Sequence, residues 1–197
     1  MAAQLQPITV VAPLKPASGR RLFEAVAARG INREGVELAM DVGSILGLDA
    51  GQLRRLEFGA LLHDVGKIEI PVEIINKEGQ LSQEERAAIE RHTIAGQEML
   101  GGLGGEFCEV GLIVRSTHER FDGHGYPDGL AGEAIPIEAR IICCCDAYIA
   151  MSSHRPYRAA LPVDEALNRL RKHRSTQFDP QVVDALIATV QRIVQSL

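Results

Sequence analysis

The sequence predicts an all-α bundle of about seven to eight helices, and three observations carry that reading. From Ser18 onward apolar residues recur at helical spacing, as Val36, Ala39, Met40, Gly43 and Leu46 do. Capping side chains open successive segments, and glycine or proline closes them. No run alternates polar and apolar residues over enough positions to suggest a sheet.

Taken in order, residues 1–17 hold three prolines and a short apolar stretch, Ile8 to Val11, and read as an extended N-terminal tail. Residues 18–197 read as the domain. Ser18 caps a helix from Arg20 to Arg29 that Gly30 ends. Asn32 caps a second, stopped by Gly47, and Asp49 caps a third that runs through Leu53, Leu56 and Ala60 to His63. A connector containing Pro71 and Gly79 follows. Ser82-Gln83-Glu84-Glu85 is a capping box with Leu81 as its staple, and the helix behind it runs to about Leu100, carrying His92. The glycines between 101 and 105 break it before a shorter helix from Glu106 to His118. Residues 119–136 are too rich in glycine and proline for regular structure. Ile137 to Ser153, Val163 to His173, and a last helix opened by Asp179-Pro180 and reaching about Gln195 complete the chain.

Composition narrows the function. Hydrophobic content of 46% with 24% charged residues is that of an ordinary globular domain. A net charge of −5 argues against a general binder of nucleic-acid polymers or anionic membranes. No apolar run approaches the ~18 residues that span a bilayer, and the N-terminus lacks the basic start and apolar core of a signal peptide. The consecutive Cys143, Cys144 and Cys145 match neither a disulfide framework nor a zinc spacing, and read as small core residues in a reducing cytoplasm.

The chemistry concentrates where Leu61-Leu62 breaks into His63-Asp64-Val65-Gly66-Lys67. Imidazole and carboxylate are ligands for zinc, manganese or iron, and burying the pair without partners would be costly. On a helix Lys67 falls on the side of His63. His92 stands on a charged helix, with Gly96 one turn on to let a neighbour approach. His118 ends a helix just before the glycine-rich loop. Asp146 interrupts the apolar stretch Ile141 to Ala147, where a buried carboxylate would need a cation. Each of these alone reads as an ordinary polar residue; five from four helices point to a shared metal. His124, His154 and His173 read as surface residues.

The motifs are more specific than the cluster. The chain carries His63-Asp64-Val65-Gly66-Lys67-Ile68, then His92 with Gly96, then His118-Glu119-Arg120-Phe121-Asp122-Gly123-His124-Gly125-Tyr126-Pro127. Ile135-Pro136 with Ala139-Arg140-Ile141, Cys145-Asp146-Ala147-Tyr148, Arg155-Pro156-Tyr157-Arg158 and Phe178-Asp179-Pro180 follow. From about Gly30 to Ile187 these segments resemble the HD-GYP domain, a subgroup of the HD metal-dependent phosphohydrolases.

The resemblance implies an HD-domain helical bundle with a glycine-rich GYP loop. It implies hydrolysis of the bacterial second messenger cyclic di-GMP, to the linear dinucleotide or onward to GMP, with two or three iron, manganese or similar divalent ions. Carried over by position, Asp64 bridges two metals; His63 and Asp146 serve one, His92 and His118 the other. Lys67 aids the phosphoryl group or the leaving oxygen. Arg155 and Arg158 resemble a phosphate clamp. Tyr126 lies against the nucleotide, with Asp122 and Gly125 in the same substrate-binding loop, and Gly123, Gly125 and Gly129 let the backbone turn. Such domains usually follow a sensor, so a separate signalling protein partner and a homodimer both fit the resemblance.

Departures matter as much. Ile31 stands where the family has a histidine, and Ala27 where some members have a glutamate. The paired histidines before the loop are Thr117-His118, and Ile149 replaces a second aspartate. Each prospective metal has lost an imidazole, with Glu34, Asn32 or Glu119 as stand-ins that no spacing compels. Two functions compete: a cyclic di-GMP phosphodiesterase with a reduced metal site, and a catalytically inactive domain that binds cyclic di-GMP or a protein as a regulatory module. A hydrolase for another nucleotide fits the intact GYP loop less well.

Overall fold

A computed structural model describes residues 33–154 and 159–195. The expected tail, the Ser18 helix, the positions of Ala27, Ile31 and Asn32, and Arg155 and Arg158 lie outside the described residues. Within them, eight helices of eight residues or more form the body: α1 (Arg33–Ile45), α2 (Ala50–Leu62), α4 (Gln83–Glu90), α5 (His92–Gly101), α6 (Phe107–Arg115), α7 (Ile137–Ser152), α8 (Val163–Lys172) and α9 (Pro180–Gln195). A single-turn helix, α3 (Val72–Ile75), and two 3-10 turns (Val65–Glu69 and Gly132–Ala134) fill connectors. Among the described residues β structure is limited to isolated bridges, Asp122 with Ala131 and Arg174 with Phe178. The all-α expectation holds, and no described helix is long and apolar enough to cross a membrane.

The local signals explain most boundaries. Asp49 caps α2 through a capping box with Gln52, its side chain accepting the Gln52 N–H at 2.8 Å. Ser82 and Glu85 form the expected box at the start of α4. Asp179 accepts the Gln181 N–H at 2.7 Å and takes the Arg140 guanidinium at 2.6 Å, which ties the start of α9 to α7.

Two boundaries differ from expectation. The helix expected from Ser82 to Leu100 is broken at Arg91. There the His92 ring binds the Ile89 carbonyl at 2.7 Å and the Thr93 hydroxyl donates to the Glu90 carbonyl at 3.1 Å. Side chains thus engage carbonyls that the helical ladder would otherwise use. The helix expected to reach His118 stops at Arg115. Ser116 and Thr117 N–H groups tighten onto Ile113 and Val114 carbonyls, a 3-10 ending that turns His118 out of the helix.

Helix α7 runs through the larger core. Its Ile141, Ile142, Cys144 and Cys145 pack with Val36, Ala39 and Val42 of α1, Leu56 of α2, Leu167 and Leu170 of α8, and Val182 and Leu186 of α9. Cys144 and Cys145 are buried and all the cysteines are free, as core packing requires. A smaller core joins Leu62, Leu100, Val110 and Val114 from α2, α5 and α6. Leu62 is 1% exposed, so burying it anchors the residue directly before His63.

Candidate metal centre

The centre is set by how closely the 3-10 turn after α2 approaches α5. A Cβ on Gly66 would overlap the His92 carbonyl oxygen and lie 2.6 Å from the Gly96 nitrogen. Only glycine permits that approach. Gly96 makes the matching allowance on α5, since a Cβ there would sit 2.9 Å from Val114 of α6. The turn, α5 and α6 therefore meet at three residues: Asp64, His92 and His118.

Each of these offers one ligand atom, and the three atoms lie within 4.8 Å of one another. Asp64 Oδ1 is 3.6 Å from His92 Nε2, and the His92 and His118 rings meet edge to face at 5.0 Å. Asp64 Oδ1, His92 Nε2 and His118 Nε2 are all buried without a hydrogen-bond partner. Three orphaned polar atoms facing one point are costly unless something charged sits between them. Donors about 2.1 Å from one ion lie roughly 3–3.5 Å apart, so the observed spacing needs only a small closure.

Protonation suits the same purpose. The Nδ1 of His92 faces the Ile89 carbonyl at 2.7 Å, and the Nδ1 of His63 faces the Ala60 carbonyl at 2.8 Å. A carbonyl can only accept, so each Nδ1 carries a proton, and in the neutral His92 ring this leaves Nε2 bare. Burial lowers the His92 pKa, with the Ile89 carbonyl and Asp64 opposing it only in part. Burial, reinforced by His92, pushes His118 down to about 3. Burial pushes the Asp64 carboxyl up, but His63, Lys67 and His92 outweigh it, and its pKa is lowered. The set is two neutral imidazoles and one carboxylate, a fit for zinc, manganese or iron.

The remaining sequence candidates divide. Lys67 donates to Asp64 Oδ2 at 2.7 Å. His63 Nε2 stands 3.7 Å from the same oxygen, beside the three-atom group and outside it. Asp146 was expected to be buried and is exposed, while Cys145 and Tyr148 of the same helix are buried; it stands near enough to Tyr126 to help raise that residue's pKa. It is not part of the three-atom group. Thr117 is buried with its hydroxyl donating to the Val114 carbonyl at 2.9 Å. His124 lies at the surface as expected, 83% exposed.

The GYP loop folds back over the centre. Tyr126 stacks on His118 with ring centroids 5.2 Å apart and planes 12° from parallel. Burial, with nearby carboxylates including Glu90, Asp64 and Asp146, raises the Tyr126 pKa and keeps the phenol protonated. Asp122 is engaged inside the loop, its oxygens bonded to Arg120 at 3.0 and 2.6 Å and to the His124 N–H. Gly123 and Gly129 take positive φ, as sharp turns require. Gly125 was expected to do the same; instead it is needed for close approach, since a Cβ there would strike the Glu119 and Arg120 backbone.

Two features escaped sequence reasoning. Gly66 gave no signal beyond its place in the motif. Glu119, considered only as a substitute ligand, is 2% exposed and accepts the Asp128 N–H at 2.7 Å, which anchors the loop.

Residues 20–182 match the HD domain family. The chain belongs to that family. This HD domain is 47% identical over 147 residues to the cyclic di-GMP phosphodiesterase response regulator RpfG of Xanthomonas campestris, covering 74% of this chain and 39% of that protein. It is 35% identical over 162 residues to the 3'3'-cGAMP-specific phosphodiesterase 1 of Vibrio cholerae, covering 81% of this chain and 37% of that one. The chain thus spans well under half the length of these relatives. A solved HDG"Y"P protein from Bdellovibrio bacteriovorus shares the fold, with a TM-score of 0.65 at 21% identity, covering 84% of this chain and 52% of that one. The HD-GYP assignment made from the motifs holds, and the relatives of this HD domain are cyclic dinucleotide phosphodiesterases.

Proposed function

We propose that this HD domain is a metal-dependent phosphodiesterase that hydrolyses cyclic di-GMP to the linear dinucleotide or onward to GMP. The observation that carries the reading is the convergence of three buried, unpartnered ligand atoms from Asp64, His92 and His118. A phosphodiester repels hydroxide, and a bound divalent ion supplies an acidified water and neutralises developing charge. The protein's own residues do the rest. Carbonyls of Ile89 and Ala60 fix the imidazole tautomers. Tyr126 packs over His118 and screens the centre from water on that side. Lys67 presents a cation beside Asp64 to a phosphate oxygen or the leaving oxygen. Arg155 and Arg158 complete the reading as a guanidinium clamp on the phosphates. The relative at 47% identity is named for cyclic di-GMP and the one at 35% for 3'3'-cGAMP, which favours the first substrate.

The exposed Asp146 and the engaged Thr117 hydroxyl favour a second reading, a non-catalytic module that binds the dinucleotide. Anaerobic incubation of the purified protein with manganese or ferrous iron and each cyclic dinucleotide separates the two. Linear product from cyclic di-GMP is expected. Measurable binding without turnover at every metal loading would establish the module instead.

A further inference from the structure

Resting on the phosphodiesterase reading above, we infer that Arg140 and Asp179 are positioning residues for the GYP loop, and that their buried ion pair sets where Tyr126 stands against His118. Ala139-Arg140-Ile141 and Phe178-Asp179-Pro180 are motif segments to which the metal centre gives no part.

The loop is fastened to the body at both of its ends. Near its start, the Phe121 and Asp122 N–H groups donate to the Gln177 and Thr176 carbonyls at 3.2 and 2.8 Å. At its finish, the Ile135 carbonyl accepts from Arg140 Nε at 2.9 Å. The Phe121 carbonyl takes the Gly132 N–H at 2.9 Å, so the two ends also hold each other. The turn between α8 and α9 that receives the first end is strained. Its Ser175 adopts a left-handed φ of 66°, and the Ser175 N–H bonds the Phe178 carbonyl at 2.9 Å.

One ion pair joins both fastenings. Arg140 donates through Nη1 to Asp179 Oδ2 at 2.6 Å while its Nε holds Ile135, and Asp179 Oδ1 accepts the Gln181 N–H at 2.7 Å. Asp179 follows Gln177 by two residues, so its carboxylate steadies the turn that grips Phe121 and Asp122. The Asp179 side chain is 3% exposed and that of Arg140 14%. Taking two charges out of water offsets much of their attraction, so such a pair contributes a defined geometry more than net stability. A planar guanidinium, with donors on two sides, suits a carbonyl and a carboxylate at once. Tyr126 stands inside the loop framed this way, its N–H on the His118 carbonyl at 3.3 Å and its ring stacked on the imidazole.

Tyrosine reports the effect without turnover, because the chain has three tyrosines and no tryptophan. In the full chain labelled with fluorotyrosine, Tyr126, Tyr148 and Tyr157 are assigned by single substitutions to phenylalanine. Arg140→Met and Asp179→Asn are each expected to move the Tyr126 fluorine resonance and to leave that of Tyr148, buried on the same helix as Arg140, in place. The asparagine keeps an oxygen for the Gln181 N–H, so that variant retains the start of α9 if Arg140→Met does not fold. The double variant should add little to either single one, as residues acting as a unit do. In turnover, KM for cyclic di-GMP should rise about tenfold with kcat nearly unchanged, the mark of lost substrate positioning. A Tyr126 resonance that stays put in the folded variants, an equal displacement of Tyr148, additive shifts in the double variant, or an unchanged KM would overturn the inference. An unsubstituted protein that turns over no cyclic di-GMP would overturn the phosphodiesterase reading, and the fluorine resonances would still decide the positioning role.

Discussion

Gly66 presses against the His92 carbonyl so closely that a methyl group has no room between them. This contact, between a turn and a helix far apart in sequence, places the Asp64 carboxylate beside the His92 imidazole. Gly66→Ala must therefore push the turn away from α5. Overpacking of this kind costs about 1–3 kcal/mol, seen as a lower midpoint in thermal unfolding. Because the ligands separate, manganese affinity should also fall by roughly tenfold or more. A variant destabilised to that extent with full metal affinity would show that the contact does not set the site.

The GYP loop is held by a second relationship. Arg115 of α6 bonds both Asp128 oxygens at 2.6 and 2.7 Å and reaches Gln97 of α5 at 2.9 Å, while Glu119 holds the Asp128 N–H. The guanidinium is partly exposed, so its loss should cost only about 1 kcal/mol of stability. Arg115→Met should leave metal binding unchanged and loosen Tyr126 from His118. The expected signature is a KM for cyclic di-GMP raised several-fold with manganese stoichiometry intact. Equal losses of metal and substrate binding would place Arg115 in general packing instead.

Burial of His118 predicts how the metal-free protein responds to pH. Its folded pKa lies near 3 against an ordinary value of 6.5, so between those values the unfolded chain binds the extra proton. Stability then rises with pH across that window and is lost as pH falls from 7 toward 5. His92 shifts in the same direction, from burial first. After EDTA treatment, the unfolding midpoint should drop on going from pH 7.5 to pH 5.5. The drop should be smaller in His118→Gln. The same slope in both proteins would mean that other groups control the acid response.

Much of this was legible in the residues. The capping side chains Asp49 and Ser82 fixed where α2 and α4 begin, because capping is a local event. The His63-Asp64 pair at a helix end, and the order of motifs through the GYP loop, pointed to the family and to the ligand types. What failed was tertiary. Asp146 sits in an apolar run, but its hydropathy does not say which face of α7 the core covers, and the aspartate falls on the open one. Gly66 reads as a connector residue until α5 is laid against it. The break at Arg91 depends on the His92 and Thr93 side chains turning back onto carbonyls, which periodicity does not register.

The three orphaned atoms also predict that metal is part of the protein's stability. An ion that binds the folded chain alone stabilises it by mass action, about 2.7 kcal/mol at a hundredfold excess over Kd. For a domain of this size each kcal/mol moves the midpoint roughly 2–4 °C. Adding manganese to the EDTA-treated protein should therefore raise Tm by about 5–10 °C. His92→Ala removes a fully buried ligand whose Nε2 has no other partner, so it relieves the orphaned atom as it removes the site. The variant should lose the manganese shift. Its metal-free Tm should fall, because the Nδ1 bond to the Ile89 carbonyl is lost and a cavity opens, with the removal of the unsatisfied Nε2 offsetting part of that loss. A manganese shift that survives in His92→Ala would place the ion elsewhere, with His63 as the next imidazole to remove.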